Sequence, residues 1–464
     1  MKLRLIFWCL LTLIPGLLVA DAADDWREMD AIVARIVPPL FPARDFLVTD
    51  YGAKGDGRTD DREAIARAVD ACSVAGGGRV VLQAGVFFCD GPVHLRSNVD
   101  LHVVAGATLR FGADPARYVP LVLTRFEGTM LMGHSPRIYA RNATNVAITG
   151  AGVIDGNGRA TLDLMRDKPK GNAADLRKMG AEGMPVEQRV FGEDHWLRPS
   201  MIQFVECSRV LIEGVTIRDS TFWIVHPVFC RNVTARGLKI ESMNGNNDGV
   251  DPDSSVDVLI EDCVFDTGDD AVAIKSGRDQ DGWRVSRSSE NIVIRRCTMR
   301  SRHSGLCIGS EMSGGVRNVF MEDCTLTSVS SAFYFKANLD RGGLVEHVRA
   351  RRIKAEQVRE GFVRFETGYH GYRGGDFPPS FRDFVIEDIS CQRADAYGLY
   401  IEGVPAAPIR DVTIRDADIG AAKATYWLKH FEGLRLDQVK INGSVLPASP
   451  PPTPATKSKL KISS

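Results

Sequence analysis

The chain has 464 residues, of which 44% are hydrophobic, 25% charged, 44 Gly and 22 Pro. Glycine at about one residue in eleven exceeds the usual share of about 7% but follows no fixed period, which excludes a fibrous or disordered protein and favours a globular chain rich in turns. The net charge of −1 gives no overall field to attract nucleic acid or a membrane surface, so an anionic ligand must be held locally.

Lys2 and Arg4 precede an apolar run from Leu5 to Ala20, and Ala20-Asp21-Ala22 offers the small residues of a cleavage site. The run is short of the roughly 20 residues that span a bilayer. Residues 1–22 are therefore expected to be a signal peptide, and the mature chain to be exported, periplasmic or secreted, with no membrane anchor. Residues 23–45 read as an N-terminal extension. Thr59 followed by DDREAIARAVDAC predicts a capped helix with Ile65, Ala68, Val69 and Cys72 on one face.

A short phrase then recurs, with an apolar anchor, period-two alternation and a second apolar residue five positions on. The anchors are Val146, Val210, Val233, Val258, Ile292, Val319, Val348, Phe384, Val412 and Leu434, spaced from Val210 by 23, 25, 34, 27, 29, 36, 28 and 22 residues. Alternation marks half-buried strands. Strands returning about every 27 residues without helical pattern between them predict an all-β, right-handed single-stranded parallel β-helix, in which one core absorbs the whole length. The helix after Thr59 would cap its open first coil. A β-propeller would need longer repeats, of about 40 residues and four strands each.

Five residues after their anchors come Cys263, Cys297 and Cys324. Buried Cys behaves as a small hydrophobe, so these read as a column of unpaired interior thiols; stacked parallel side chains suit a disulfide poorly. Between Val146 and Val210 the repeat is interrupted, and residues 155–200 read as a charged, loop-like insertion of the kind that serves function. The β-helix is expected to occupy 46–446 and a disordered tail 447–464.

Alignment of four coils through their apolar columns (Val250, Val272, Leu306, Phe333; then Pro252, Ile274, Ile308, Phe335) stacks Asp248 on Asp270. It sets Asn247, Asp269 and His303 in the neighbouring column and Lys275 and Lys336 in an outward one. Asp248, Asp269, Asp270, His303 and Lys336 should then share one surface patch. Clustered carboxylates repel, raising at least one pKa, and are retained for catalysis or for a cation. Glycoside cleavage uses such a set: a protonated carboxyl donates to the leaving oxygen while an ionised one activates water or attacks the sugar. Asp and Gly also favour turns, so any one of these motifs alone reads equally well as a loop.

NNDGVDPDSS at 246–255, DTGDDAVAIKSG at 266–277, HSGLCIGSE at 303–311 and YFK at 334–336 resemble glycoside hydrolase family 28, the polygalacturonases and related pectin hydrolases. The resemblance runs from VTDYGAKGDGRTDD at 48 to Val439. It implies a parallel β-helix and metal-independent, cofactor-free, inverting hydrolysis of α-linked galacturonic-acid-containing pectic polysaccharide or oligosaccharide by a monomer. Carried over by motif, Asp269 is the general acid, Asp248 and Asp270 hold the attacking water, and His303 belongs to the catalytic set. Asn247, Lys275, Tyr334 and Lys336 are implied on the substrate side. Inversion calls for acid and base about 6.5–9.5 Å apart.

Two departures stand out. The family's Gly-His-Gly is Arg302-His303-Ser304, and its Arg-Ile-Lys is Tyr334-Phe335-Lys336. Tyr cannot reproduce a bidentate guanidinium, which leaves Arg341 or Arg302 as substitutes. His226 reads equally as a structural or a site residue, while Trp196, Trp223 and Trp283 could stack on sugar rings, although buried packing is the commoner fate of Trp. Three other readings of the cluster stay open: a lyase holding Ca²⁺ on Asp248, Asp251, Asp253, Asp269 and Asp270, a rhamnogalacturonan-directed hydrolase of the same fold, and, given the altered His and Arg motifs, a non-enzymatic carbohydrate-binding β-helix. The insertion could close one end of the cleft and favour exo action.

Overall fold

A computed structural model describes residues 22–454 and 459–460. The expected signal peptide lies outside the described residues except for Ala22, which opens helix α1 (Ala22–Arg35). The fold is the expected right-handed parallel β-helix. Its strands stack in three rows, and the anchor row pairs Val146 with Val210, Val210 with Val233, Val233 with Val258 and Val258 with Ile292. It continues through Val319, Val348, Phe384 and Val412. The anchor phrases therefore lie in register, and the side chains at alternate positions fill one core cluster running from Val48 to Ile441.

The second column is equally regular. Cys324 pairs with Ile353, Ile353 with Ile389, Ile389 with Ala417 and Ala417 with Val439. All nine cysteines from Cys72 to Cys391 are buried and free. The corners between rows differ from the expectation that glycine makes the turns. The residue before each of the first nine anchors is left-handed without being glycine, and it is Asn145, Arg209, Asn232, Asp257, Asn291, Asn318, His347, Asp383 and Asp411 in turn; only before Leu434 is it a glycine, Gly433. Asn and Asp tolerate that conformation because their short side chains hydrogen-bond locally; Asn318 Nδ2 donates to Asn291 Oδ1 (3.0 Å) and Asn291 Nδ2 to Asp257 Oδ1 (3.0 Å), forming a ladder.

Helix α2 (Arg62–Val74) covers the first coil with Ala64, Ile65, Ala68, Val69 and Cys72 buried. Its N-cap is Asp61 rather than Thr59. The Asp61 carboxylate is turned away from the helix and accepts from the N–H groups of Lys54 (2.6 Å) and Gly55 (3.0 Å), tying down the preceding loop. The N-terminal extension is itself structured. Trp26, Met29 and Ile32 of α1, with Ile36 just after it, pack on the outward residues Leu259, Val293 and Phe320 of three successive coils, each buried side chain worth roughly 1.5–3 kcal/mol.

The insertion is not the loop its charge suggested. It holds α3 (Gly158–Met165) and α4 (Asn172–Glu182), and α4 lies against strand Thr129–Gly133 and α5 (Asp279–Val285). Most of its charged residues are exposed, but Arg189 is buried against Asp281 and Arg177 is part-buried, while Leu176 is buried with Phe126, Leu131, Phe191, Phe222 and Trp223. The segment expected as a disordered tail from 447 makes specific contacts in its described part. Ala448 C=O accepts from Leu436 N–H (2.8 Å), and Thr453 N–H donates to Leu428 C=O (2.8 Å), so the tail completes hydrogen bonds that the last coils would otherwise leave open.

Candidate active site

The third strand row crosses the floor of a cavity of about 350 Å³. Val250 pairs with Val272, Val272 with Leu306 and Leu306 with Phe333, as the internal alignment expected. Residues just before these strands form one bank: Asp248, then Asp269 and Asp270, then His303. Residues just after them form the other: Lys275 and Arg278, then Ser310 and Glu311, then Lys336 and Arg341, then Tyr369 to Gly371. From Asp270 to Lys275 the backbone advances about 16 Å at the usual strand rise. An acidic bank therefore faces a mainly cationic one.

Glycine brings the acids together. Gly249 follows Asp248 and Gly268 precedes Asp269. A Cβ at Gly249 would strike Ala271 C=O and the Phe265 ring, and one at Gly268 would strike the Asn244 carbonyl. Coils carrying adjacent aspartates can stack only with these positions bare. Asp269 is then fixed through its backbone, since its C=O accepts from Thr267 Oγ1 (2.7 Å) and Ser301 Oγ (2.6 Å). Ser301 Oγ also accepts from His303 N–H (2.8 Å). The same hydroxyl sets the two side chains face to face, with His303 Nδ1 3.9 Å from Asp269 Oδ1. Both reach solvent, at 46% exposure for His303 and 16% for Asp269.

The other two aspartates are buried and their environments push them apart. Burial would raise the Asp270 carboxyl, but Lys336, His303, Lys275 and the Ser304 N–H together hold it below the usual range. Lys336 Nζ donates to Asp270 Oδ2 (3.2 Å) and Ser304 N–H to Oδ1 (2.9 Å). Asp248 goes the other way. Burial, then the charge of Asp269, raise its carboxyl well above the usual range, and Lys275, 3.8 Å away, offsets only part of this. Lys275 is divided among Gly309 C=O (2.9 Å), Glu311 (3.3 Å) and the Trp223 ring, 4.7 Å from its centroid.

Two residues expected on the substrate side lie elsewhere. Asn247 is fully buried and its side chain builds the turn: Oδ1 accepts from Ser242 Oγ (2.6 Å) and Nδ2 donates to Phe222 C=O (3.1 Å). Tyr334 is 5% exposed, donates to Glu366 (2.7 Å) and lies beneath Lys336, outside the cavity lining. Lys275 and Lys336 do line it. Of the suggested arginine substitutes Arg341 lines the cavity and Arg302 does not. Among the other uncertain residues, Trp223 is at the wall, stacked on Phe222 and through it on Phe126 (5.0 and 4.8 Å). His226 is buried beneath Trp223 between Gln203 and Asp253. Trp283 packs on Phe377, and Trp196 lies under Lys168.

The donor set fits a Ca²⁺ ion poorly. Asp253 is taken by Arg125 (3.3 Å), and lysine ammonium groups stand against Asp248 and Asp270 where such an ion would need free carboxylate oxygens. Only Asp269, Asp270 and His303 bring their ligand atoms within 4.8 Å of one another among the described residues.

Sequence reasoning missed Glu127, Arg177, Arg278, Glu311, Tyr369 and His370. Continuing the internal alignment past the strands would have put Arg278, Glu311 and Arg341 on one bank. Glu127 and Arg177 come from outside the repeats, and only the packing of α4 brings them in.

Comparison with known proteins agrees with this geometry. Residues 122–434 match the family described as Glycosyl hydrolases family 28, and residues 46–104 one described as Rhamnogalacturonase A/epimerase, pectate lyase-like. A probable polygalacturonase of Vitis vinifera is 30% identical over 81% of this chain and 74% of its own. An exo-poly-alpha-D-galacturonosidase of Dickeya chrysanthemi is 27% identical over 74% of this chain and 62% of its own. The crystal structure of a hyperthermoactive exopolygalacturonase from Thermotoga maritima superposes with a TM-score of 0.87 at 41% identity, covering 91% of this chain and 97% of the other.

Proposed function

The chain belongs to glycosyl hydrolases family 28, and from that premise we propose that it is an exported, inverting hydrolase that releases galacturonic acid from the ends of pectic chains. The observation that carries this reading is the split among three neighbouring aspartates: one ionised and pinned by Lys336, one pushed towards its protonated form, and one partly exposed beside His303. Burial and then the charge of Asp269 push Asp248, its partner in the pair, towards the protonated form, which places a proton beside Asp269. Asp269, the member within reach of the cavity's open side, gives that proton to the glycosidic oxygen as the bond to the anomeric carbon breaks. Water held by Asp270 and Asp248 attacks from the opposite face and passes its proton to that carboxylate pair.

Action at chain ends is supported by the wall. Arg177 of α4 and Glu127 of the hairpin beside it both line the cavity, so the insertion supplies part of its wall, which is what a block at one end of the cleft would require. The relatives from Dickeya chrysanthemi and Thermotoga maritima are both named for exo action.

The test is incubation with polygalacturonate, rhamnogalacturonan and substituted pectins, with and without chelator, following product size and anomeric form. Galacturonate monomer from the first minutes, first released in the inverted configuration and indifferent to chelator, is expected. Asp269→Asn should lose about 10²–10⁴-fold in kcat while its melting temperature holds. An unsaturated product, chelator sensitivity or substantial activity in that variant would overturn the reading.

A further inference from the structure

A galacturonide carries a carboxylate that the site must recognise, and Tyr334 stands where the family's arginine would supply the fork. Four buried cations and one partly exposed one line the cavity, and their hydrogen bonds separate them. Arg341 is 1% exposed and each of its three nitrogens is engaged, by Ser310 C=O (2.8 Å), Ser310 Oγ (3.2 Å) and Asp279 (2.6 Å). Lys275 and Lys336 are committed to the acids and to aromatic faces. Arg278 is different. It is 8% exposed, and among the described residues Nη1 is its only hydrogen-bonded nitrogen, donating to Glu127 (2.7 Å) with Glu311 at 3.3 Å. Its Nε is buried without a hydrogen-bond partner, with Asp279 Oδ2 3.9 Å away. Arg177 repeats the pattern: one nitrogen donates to the same Glu127, and Nε is buried and unpartnered.

A buried guanidinium N–H left without an acceptor costs stability unless a ligand fills it. Glu127 clamps the two arginines side by side, one from the start of α5 and one from α4, and both residues line the cavity. Arg278 stays charged because Glu311, Glu127 and Asp279 outweigh the burial that works against it.

We propose that Arg278, with Arg177 beside it, forms the receptor for the carboxylate of the uronate bound at the closed end of the cavity, in place of the guanidinium missing at Tyr334. The inference rests on the galacturonide reading of the site. It assigns substrate specificity to the insertion: α4 contributes a charge that reads the terminal sugar as well as a wall.

The experiment measures binding of galacturonic acid, its methyl ester and galactose by calorimetry to the full-length mature protein and to Arg278→Gln and Arg177→Ala. The wild type should prefer the free acid over both neutral sugars. Arg278→Gln should weaken the acid by about 10- to 100-fold with the neutral sugars unchanged, and Arg177→Ala, on a partly exposed helix face, should do so by about 3- to 10-fold. Unchanged acid affinity in both variants overturns the proposal, as does an equal loss for all three sugars, which marks a collapsed pocket. A wild type that prefers the acid yet fails to cleave polygalacturonate leaves the receptor standing and removes the assigned reaction instead.

Discussion

Asp248 illustrates how a carboxylate at the proposed catalytic position is costly to the fold. Its carboxyl is nearly fully buried, faces Asp269, and has one oxygen, Oδ1, without a hydrogen-bond partner. The folded-state pKa is raised, so the folded form prefers the protonated group. The stabilisation is then complete below the unfolded value near pH 4 and is lost as pH rises through the folded value. Asp248→Asn removes the charge but keeps the size. It should melt about 1–3 °C above the wild type at pH 7, with the difference shrinking towards pH 4, while hydrolysis falls by two or more orders of magnitude. Calorimetric scans across that range check the sign; a variant less stable than the wild type at neutral pH would mean that Asp248 is held by partners stronger than Lys275. Motif reasoning located this residue and Asp269 because glycines beside them, Gly249 and Gly268, are forced by contact between coils and so appear in the sequence as part of the motif. It misplaced Asn247 and Tyr334 because a motif records spacing along the chain and not which side of a turn the side chain takes. Both point into packing, against Ser242 and Glu366.

At the scale of elements, the strands were legible and the walls were not. Period-two alternation fixes which residues point inward, and stacking then fixes the register, so Val250, Val272, Leu306 and Phe333 could be aligned without a structure. Helix α4 has no such signal: its buried residues are Leu176 and Gly180, too few to mark an apolar stripe among its charges. Its docking depends on tertiary partners, with Leu176 in the Phe126–Phe222–Trp223 cluster and Arg284 of α5 donating to Gly180 C=O. That makes α4 a removable part. Replacing residues 167–184 by a short Gly-Ser linker leaves the strand rows intact and opens the end of the cavity. The shortened protein should still cleave polygalacturonate, with a ladder of oligomers replacing monomer and the affinity for galacturonate reduced. Chromatography of early products decides it; monomer alone from the shortened protein would put the block on some other loop.

Over the whole molecule, one core runs unbroken from Val48 to Ile441, yet each coil touches mainly its neighbours, so stability should vary along the axis. The two ends are closed differently. At the first coil α2 inserts five buried residues, whereas the last strand, Arg435–Ile441, is finished by a two-residue antiparallel pairing with Ser444–Val445 and by single hydrogen bonds from the tail. Flanking coils and α1 support the middle through Leu259, Val293 and Phe320. The free thiols are placed to report on this. Cys263 and Cys297 have pKa values pushed well above the ordinary one, chiefly by neighbouring thiols and burial, so neither is a ready nucleophile while folded. Cys391, near the weaker end, is also raised by burial, to about 11. Alkylation of the native protein should therefore leave all nine thiols intact, and in rising urea Cys391 should be modified first, then Cys72 and Cys89, with Cys263, Cys297 and Cys324 last. Mass spectrometry of the labelled peptides reads the order. Simultaneous modification of all nine would show that the coils unfold as one cooperative unit despite their linear arrangement, and early loss of Cys72 would show that α2 is the weaker cap.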